Sequence, residues 1–130
     1  GEYAEGIGET DDAVFLSTWL LEQFPNAELW LAGFSFGGMV AALAANRCNA
    51  QQLVTIAPAV GMIGEGLQLQ SQAHWLLVHG SDDELIEAST MLNWVESLTI
   101  RPDVIILPHA THFFHGKLVV LRKLLVEKLS

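Results

Sequence analysis

The sequence predicts an α/β fold of about four mainly parallel strands with flanking helices, organised as one domain over residues 1–130. Three observations carry this expectation. Four short apolar runs show no polar alternation, as strands buried on both faces require; segments of helical composition separate the runs; and each run closes on glycine, proline or a polar turn. Alternating strand and helix implies right-handed crossovers between parallel strands.

Residues 1–9 hold Gly1, Gly6 and Gly8 among acidic side chains and read as a loop, after which Thr10 or Asp11 caps a helix reaching Phe24. Leu16, Leu20 and Phe24 recur every four residues, the pattern of one buried helical face, and Pro25 with Asn26 ends the segment. The first apolar run, residues 29–34, is too short for a helix of its own, and runs at 53–57, 75–79 and 104–107 share its character. Helices are expected over 38–47, rich in alanine, over 84–98, and over 117–129, where Leu118, Leu121 and Leu125 fall on one face. Residues 60–73 are less regular and suit a short cap over a site. No internal repeat, heptad pattern or linker composition divides the chain.

Composition narrows the function classes. Hydrophobic residues make up 51% and charged residues 16%, yet no stretch approaches the roughly 20 apolar residues that cross a bilayer, so a globular chain without a membrane partner is expected. Fifteen acidic against six basic side chains give a net charge of -9, which repels phosphate backbones and removes nucleic acid from the expected partners. Cys48 is the only cysteine, so no internal disulfide forms, and a cytoplasmic location is the expectation. The sequence starts at Gly1 without Met or a leader pattern, which leaves targeting open.

The strongest chemical signal is Gly33-Phe34-Ser35-Phe36-Gly37, a G-x-S-x-G set between a buried strand and a helix of small residues. Such a turn holds the serine in a strained backbone conformation and crowds the positions two residues to either side, where glycine stands; Gly38 gives further clearance. The hydroxyl then projects above the sheet. The Phe36 backbone N–H, at the helix start, points into the same space and can steady a developing oxyanion. A glycine-rich turn without chemistry is the competing reading, and the flanking strand and helix weigh against it.

A serine hydroxyl is a poor nucleophile until an imidazole takes its proton, and the imidazole needs a carboxylate to fix its tautomer. The third apolar run leads into Gly80-Ser81-Asp82-Asp83-Glu84, which supplies three candidate acids beyond a strand end. Ser81 and Asp82 also read as caps for the helix that follows. The fourth run leads into His109, His112 and His115; His109 and His115 also read as solvated or capping, while His74 and His79 read as a histidine at a strand start and one packed at a strand end. The three-residue spacing of His109, His112 and His115 raises a zinc site, but there is no H-E-x-x-H, the segment reads as loop, and Ser35 would be left unexplained. No metal and no cofactor is expected.

Together these residues resemble the α/β-hydrolase superfamily, especially small cytosolic members similar to dienelactone hydrolase. Gly80-Ser81-Asp82-Asp83 resembles the G-x-x-D that carries the family's acid, with Glu84-Leu85-Ile86 as the start of its next helix, and Ala110-Thr111-His112-Phe113-Phe114-His115-Gly116 resembles the segment with the catalytic histidine. The likeness runs from the Gly6-Ile7-Gly8-Glu9 loop to the last helix. It implies the chain order serine, acid, histidine, with Ser35 as nucleophile, Asp83 as acid, His112 as base and the Phe36 N–H as oxyanion donor. Asp82 stays the alternate acid.

The resemblance implies a serine hydrolase that cleaves small esters or thioesters through an acyl-enzyme on Ser35. Phe34, Phe36, Phe113 and Phe114 flank the reacting groups; Phe34 and Phe113 are taken as substrate-binding, although Phe34 and Phe114 read equally as core. Because the base must be neutral and free histidine titrates near about 6.5, activity should fall in acid. Two alternatives remain: an acyltransferase with the same residues, and a scaffold or association module without activity. The resemblance also places the family's opening strands, and the loop with its second oxyanion N–H, ahead of Gly1. The expected fold is therefore a partial α/β-hydrolase lacking its N-terminal strands, weakened by roughly 10² to 10³ in rate for the missing donor. Its open strand edge is expected to be covered in a homodimer or higher oligomer.

Overall fold

Four strands pair in parallel, in the order in which they occur along the chain, in the computed structural model, which describes residues 7–62 and 72–129. The elements are α1 (Ile7–Gln23), β1 (Trp30–Phe34), α2 (Phe36–Ala45), β2 (Gln52–Ile56), a 3₁₀ turn (Val60–Met62), β3 (His74–Gly80), α3 (Ala88–Glu96), β4 (Asp103–Leu107) and α4 (Leu118–Leu129). The register sets Phe34 beside Ile56, Ile56 beside Val78, and Val78 beside Ile105. All four strands therefore end along one rim of the sheet, and their following loops share that rim. Four parallel strands with flanking helices are the architecture expected from the sequence.

Strand residues alternate between two cores. Leu53, Trp75 and Leu77 meet Ala41, Ala42 and Ala45 of α2 and Met91 and Val95 of α3 on one face. Leu76, Val78 and Leu107 meet Phe114 and Leu121 of α4 on the other. The alanines of α2 let its backbone lie close on β1 and β2. Leu77 and Met91 are fully buried, so truncating either to alanine costs about 2–5 kcal/mol in lost burial and residual cavity. The Trp75 indole N–H donates to buried Thr55 Oγ1 at 2.9 Å, which satisfies two polar groups within the first core.

Several sequence expectations are corrected. The run at 29–34 is not buried on both faces: β1 is the sheet's edge strand, and Trp30 and Phe34 are exposed. Its apolar character reflects a strand with a neighbour on one side only among the described residues. In α1 the expected face of Leu16, Leu20 and Phe24 is not the buried one; Leu16 and Phe24 are exposed, and Thr10 and Ser17 turn inward. The helix packs on α2, and the buried Thr10 hydroxyl has no hydrogen-bond partner among the described residues. Thr10 is no cap, because α1 already starts at Ile7. Leu118 likewise is exposed on α4, while Leu121, Leu124 and Leu125 pack inward. The helix expected over 84–98 begins only at Ala88, for a reason that belongs to the site below. The possible cap at 60–73 starts as the 3₁₀ turn, and most of it, like the loop through Gly6, lies outside the described residues.

Cys48 follows α2 and is a free thiol that donates to Ala44 O at 2.8 Å. Burial pushes its pKa up, outweighing the hydrogen bond with Ser17 and the charge of Arg47, which pull it down.

Candidate active site

Ser35 sits between β1 and α2 with φ 54° and ψ −118°, a region that costs a non-glycine residue about 1–3 kcal/mol. Its neighbours hold it there: Ser35 N–H donates to Ile56 O at 2.9 Å, and its own carbonyl accepts from Gly38 N–H at 3.0 Å and Ala59 N–H at 3.1 Å. A Cβ on Gly33 would lie 2.0 Å from Gly37 O, so only glycine fits that side of the turn. Gly37 has open space around its Cα, and its glycine is not required sterically. The crowding expected on both sides is thus one-sided, with Gly38 the second tight position, where a Cβ would lie 3.2 Å from Gly33 O.

The acid loop turns because Asp83 Oδ1 accepts two backbone N–H groups, from Leu85 at 2.9 Å and Ile86 at 2.7 Å. This side-chain turn diverts residues 83–86 from helical geometry and delays α3 to Ala88. Neither Ser81 nor Asp82 caps that helix: the Ser81 hydroxyl accepts the His109 N–H at 2.8 Å, and Asp82 N–H donates to Ala110 O at 2.9 Å. Ser81 N–H adds a bond to Leu107 O at 3.0 Å. Together these bonds stitch the β3 and β4 loops together. Gly80 makes the stitch possible, since a Cβ there would lie 2.2 Å from Ala110 O.

Held this way, three side chains from three strand ends meet in one hydrogen-bonded row. Asp83 Oδ2 lies 2.8 Å from His112 Nδ1, and His112 Nε2 lies 3.1 Å from Ser35 Oγ. The carboxylate can only accept, so His112 carries its proton on Nδ1 and presents the Nε2 lone pair to the Ser35 hydroxyl. The Asp83 and His112 side chains are almost wholly buried, at 0% and 2% exposure, which shields the pair from competing water. His112 also donates its backbone N–H to Glu84 Oε2 at 3.4 Å.

No protein-family model matches the chain. Among solved structures, an α/β serine hydrolase homologue from Coxiella burnetii superimposes with a TM-score of 0.88 at 32% identity, over 100% of this chain and 62% of its own length. A member of the α/β serine hydrolases from Xanthomonas campestris, described as without lid, gives 0.85 at 38% identity over 95% and 56%. The chain has the partial α/β-hydrolase fold and is similar to these serine hydrolase homologues. A dienelactone hydrolase from Anabaena variabilis shares the hydrolase fold at 23% identity and a TM-score of 0.74. An uncharacterized protein of Rickettsia prowazekii is 29% identical over 127 residues, 90% of this chain and 53% of its own length. The chain spans 53–62% of the length of the Rickettsia, Coxiella and Xanthomonas proteins.

Around this row the remaining candidates separate clearly. Phe34 and Phe113 lie against His112, with ring centroids 5.2 and 5.0 Å from the imidazole and 5.6 Å from each other. They stay 39% and 62% exposed, whereas Phe114 is core. Phe36 opens α2 directly after Ser35. Asp82 and His109 face solvent 3.9 Å from each other, and His115 N–H bonds Thr111 Oγ1. Among the described residues no three His, Cys, Asp or Glu side chains are placed to hold a metal. His79, packed at a strand end as the sequence suggested, and Glu84, one of its three candidate acids, both neighbour the row, and what the sequence did not reveal is their contacts with Asp83 and His112. His79 left a signal in its four-residue spacing from Asp83 across a strand end.

Proposed function

We propose that the chain carries the nucleophile, base and acid of a serine hydrolase acting on small ester or thioester substrates. The single observation that supports this reading best is His112, bonded on one side to a buried carboxylate and on the other to a serine hydroxyl. In the reaction, Ser35 Oγ attacks the acyl carbonyl while His112 Nε2 takes the hydroxyl proton, and Asp83 stabilises the resulting imidazolium. The backbone N–H of Phe36 donates to the oxyanion of the tetrahedral intermediate. Collapse expels the alcohol or thiol, protonated by His112, and leaves an ester on Ser35. Water then attacks that ester as His112 takes its proton, and the acid product leaves with Ser35 restored.

Phe34 and Phe113 form an exposed aromatic corner beside the base, which favours an apolar acyl group of modest size. The decisive experiment is turnover of short-chain aryl esters and labelling by a fluorophosphonate probe, with Ser35→Ala and His112→Ala alongside. Labelling and turnover lost in both variants support the enzyme; equal inertness of three folded proteins removes it and leaves an association module. One observation favours association in addition to activity: β1 offers an apolar edge with exposed Trp30 and Phe34. A homodimer or higher oligomer of this chain covers that edge in our reading. The free thiol of Cys48 accords with a cytoplasmic location, and no described helix is long and apolar enough to cross a membrane.

A further inference from the structure

His79 is the one fully buried histidine the reaction above does not use. It occupies the penultimate position of β3, where a packed apolar residue would serve the core as well. Its polar atoms are oddly provided for: Nε2 lies 2.8 Å from Ile86 O and 3.4 Å from Asp83 Oδ2, while Nδ1 has no hydrogen-bond partner among the described residues. Both groups facing Nε2 are acceptors, so the ring carries its proton there. A buried nitrogen without a partner opposes folding, and the ring's polar contacts all fall within one turn, residues 83–86.

That turn also orients the acid. Asp83 Oδ1 is held by the N–H groups of Leu85 and Ile86, and the Ile86 carbonyl is held by His79. Ile86 is thereby clamped from both sides, its N–H by Asp83 and its C=O by His79. With Oδ1 pinned, Oδ2 is directed at His112 Nδ1, and the His79 N–H adds a positive edge to that same oxygen.

We propose that His79 is the positioning residue for the Asp83 carboxylate: its Nε2–H closes the 83–86 turn, so that Oδ2 meets His112 at hydrogen-bond distance. The inference rests on the serine hydrolase reading for its effect on rate, but its geometric content stands apart from activity. His79 touches no reacting atom and transfers no proton. It sets how long the row of three side chains stays aligned.

The test compares wild type with His79→Leu, which keeps an apolar bulk and removes the donor, and His79→Gln, whose amide N–H reaches the position of Nε2. Two readouts are taken on folded protein, with circular dichroism and urea unfolding as checks. The first is the low-field proton resonance of an imidazole N–H bonded to a carboxylate, assigned by its loss in Asp83→Asn. We expect it in wild type, absent or broadened in His79→Leu, and restored in His79→Gln. The second is fluorophosphonate labelling and aryl ester turnover: His79→Leu should lower kcat about 10- to 100-fold with KM nearly unchanged, and His79→Gln should recover most of it. A His79→Leu protein that keeps both resonance and kcat overturns the proposal while the hydrolase reading stands. Wild type that shows the resonance but never labels at Ser35 overturns the hydrolase reading, and the resonance in the variants still decides the role of His79. A wild type lacking the resonance overturns the positioning role outright.

Discussion

The carboxyl rim of the sheet and the flank formed by α1 and β1 are written in similarly apolar sequence, yet they are finished in opposite ways. At the rim, the strained residues are pinned: the non-glycine residues with positive φ among the described ones, Ser35, Ala57, His109 and Phe114, all follow strand ends. Each donates its N–H to a fixed acceptor: Ser35 to Ile56 O, Ala57 to Val78 O of β3, His109 to Ser81 Oγ in the β3 loop, and Phe114 to Thr111 O within its own loop. On the flank, Phe15, Leu16, Trp19 and Trp30 face outward, and Thr10 and Ser17 are buried instead. Apolar composition decides which segments form elements; the neighbour available decides which face is covered. Strain persists where surrounding contacts over-determine it, which is where chemistry needs a fixed hydroxyl.

If the rim is built for reaction, its side chains should dominate every functional measurement. Ser35→Ala or His112→Ala should lower kcat by about 10⁴- to 10⁶-fold, and Asp83→Asn by about 10⁴-fold through the wrong imidazole tautomer. Asp82→Asn, one residue away and solvated, should stay within about twofold. Ester turnover with active-site titration separates these cases, and an Asp82 effect as large as that of Asp83 would reassign the acid.

The next effect is on stability and probes the one-sidedness of the serine turn. Gly33→Ala should cost more than about 4 kcal/mol, because its Cβ lands 2.0 Å from the Gly37 carbonyl and no flexible atom can yield. Gly37→Ala, inside α2 with open space, should be neutral or stabilise by up to about 1 kcal/mol. Urea unfolding of the two variants reads the difference directly. Equal losses would mean that both glycines answer to the turn itself.

This contrast also marks what was legible in the sequence. The four strands and the serine turn follow from apolar runs and turn residues, whereas choosing Asp83 among three acids and His112 among three histidines needed the resemblance to α/β-hydrolases. Those signals are local, and parallel pairing turns local strand ends into one rim. The asymmetry between Gly33 and Gly37, the late start of α3 and the clamp on Ile86 depend on contacts between segments far apart in the chain. No pattern within either segment encodes them. The buried face of α1 depends on a distant segment in the same way: leucine spacing reports a helix, whereas packing against α2 determines which side is covered.

The edge of β1, which has no strand neighbour on one side among the described residues, sharpens the other half of the comparison. Copies of the chain should associate at micromolar concentration, and Trp30→Lys should shift the population toward monomer by placing a charge on that edge. Light scattering coupled to size exclusion checks both, and a well-behaved wild-type monomer removes the association reading. Activity in the monomeric fraction would show in addition that the rim works without a second copy.

The smallest expected effect tests the inversion within α1 itself. Phe15 is 75% exposed and Ser17 4% exposed, so hydropathy and burial predict opposite outcomes for their exchange. Ser17→Leu should destabilise by about 1–3 kcal/mol, since it forces a larger side chain against Cys48 and removes the hydroxyl from that thiol. Phe15→Ser should change stability by less than about 0.5 kcal/mol when measured in dilute solution. A larger loss for Phe15→Ser that grows with protein concentration would mean that the outer face of α1 is covered when copies meet, joining the flank and the β1 edge into one interface. A loss independent of concentration would instead mean that Phe15 finds cover within its own chain, and the inversion read from α1 would fail.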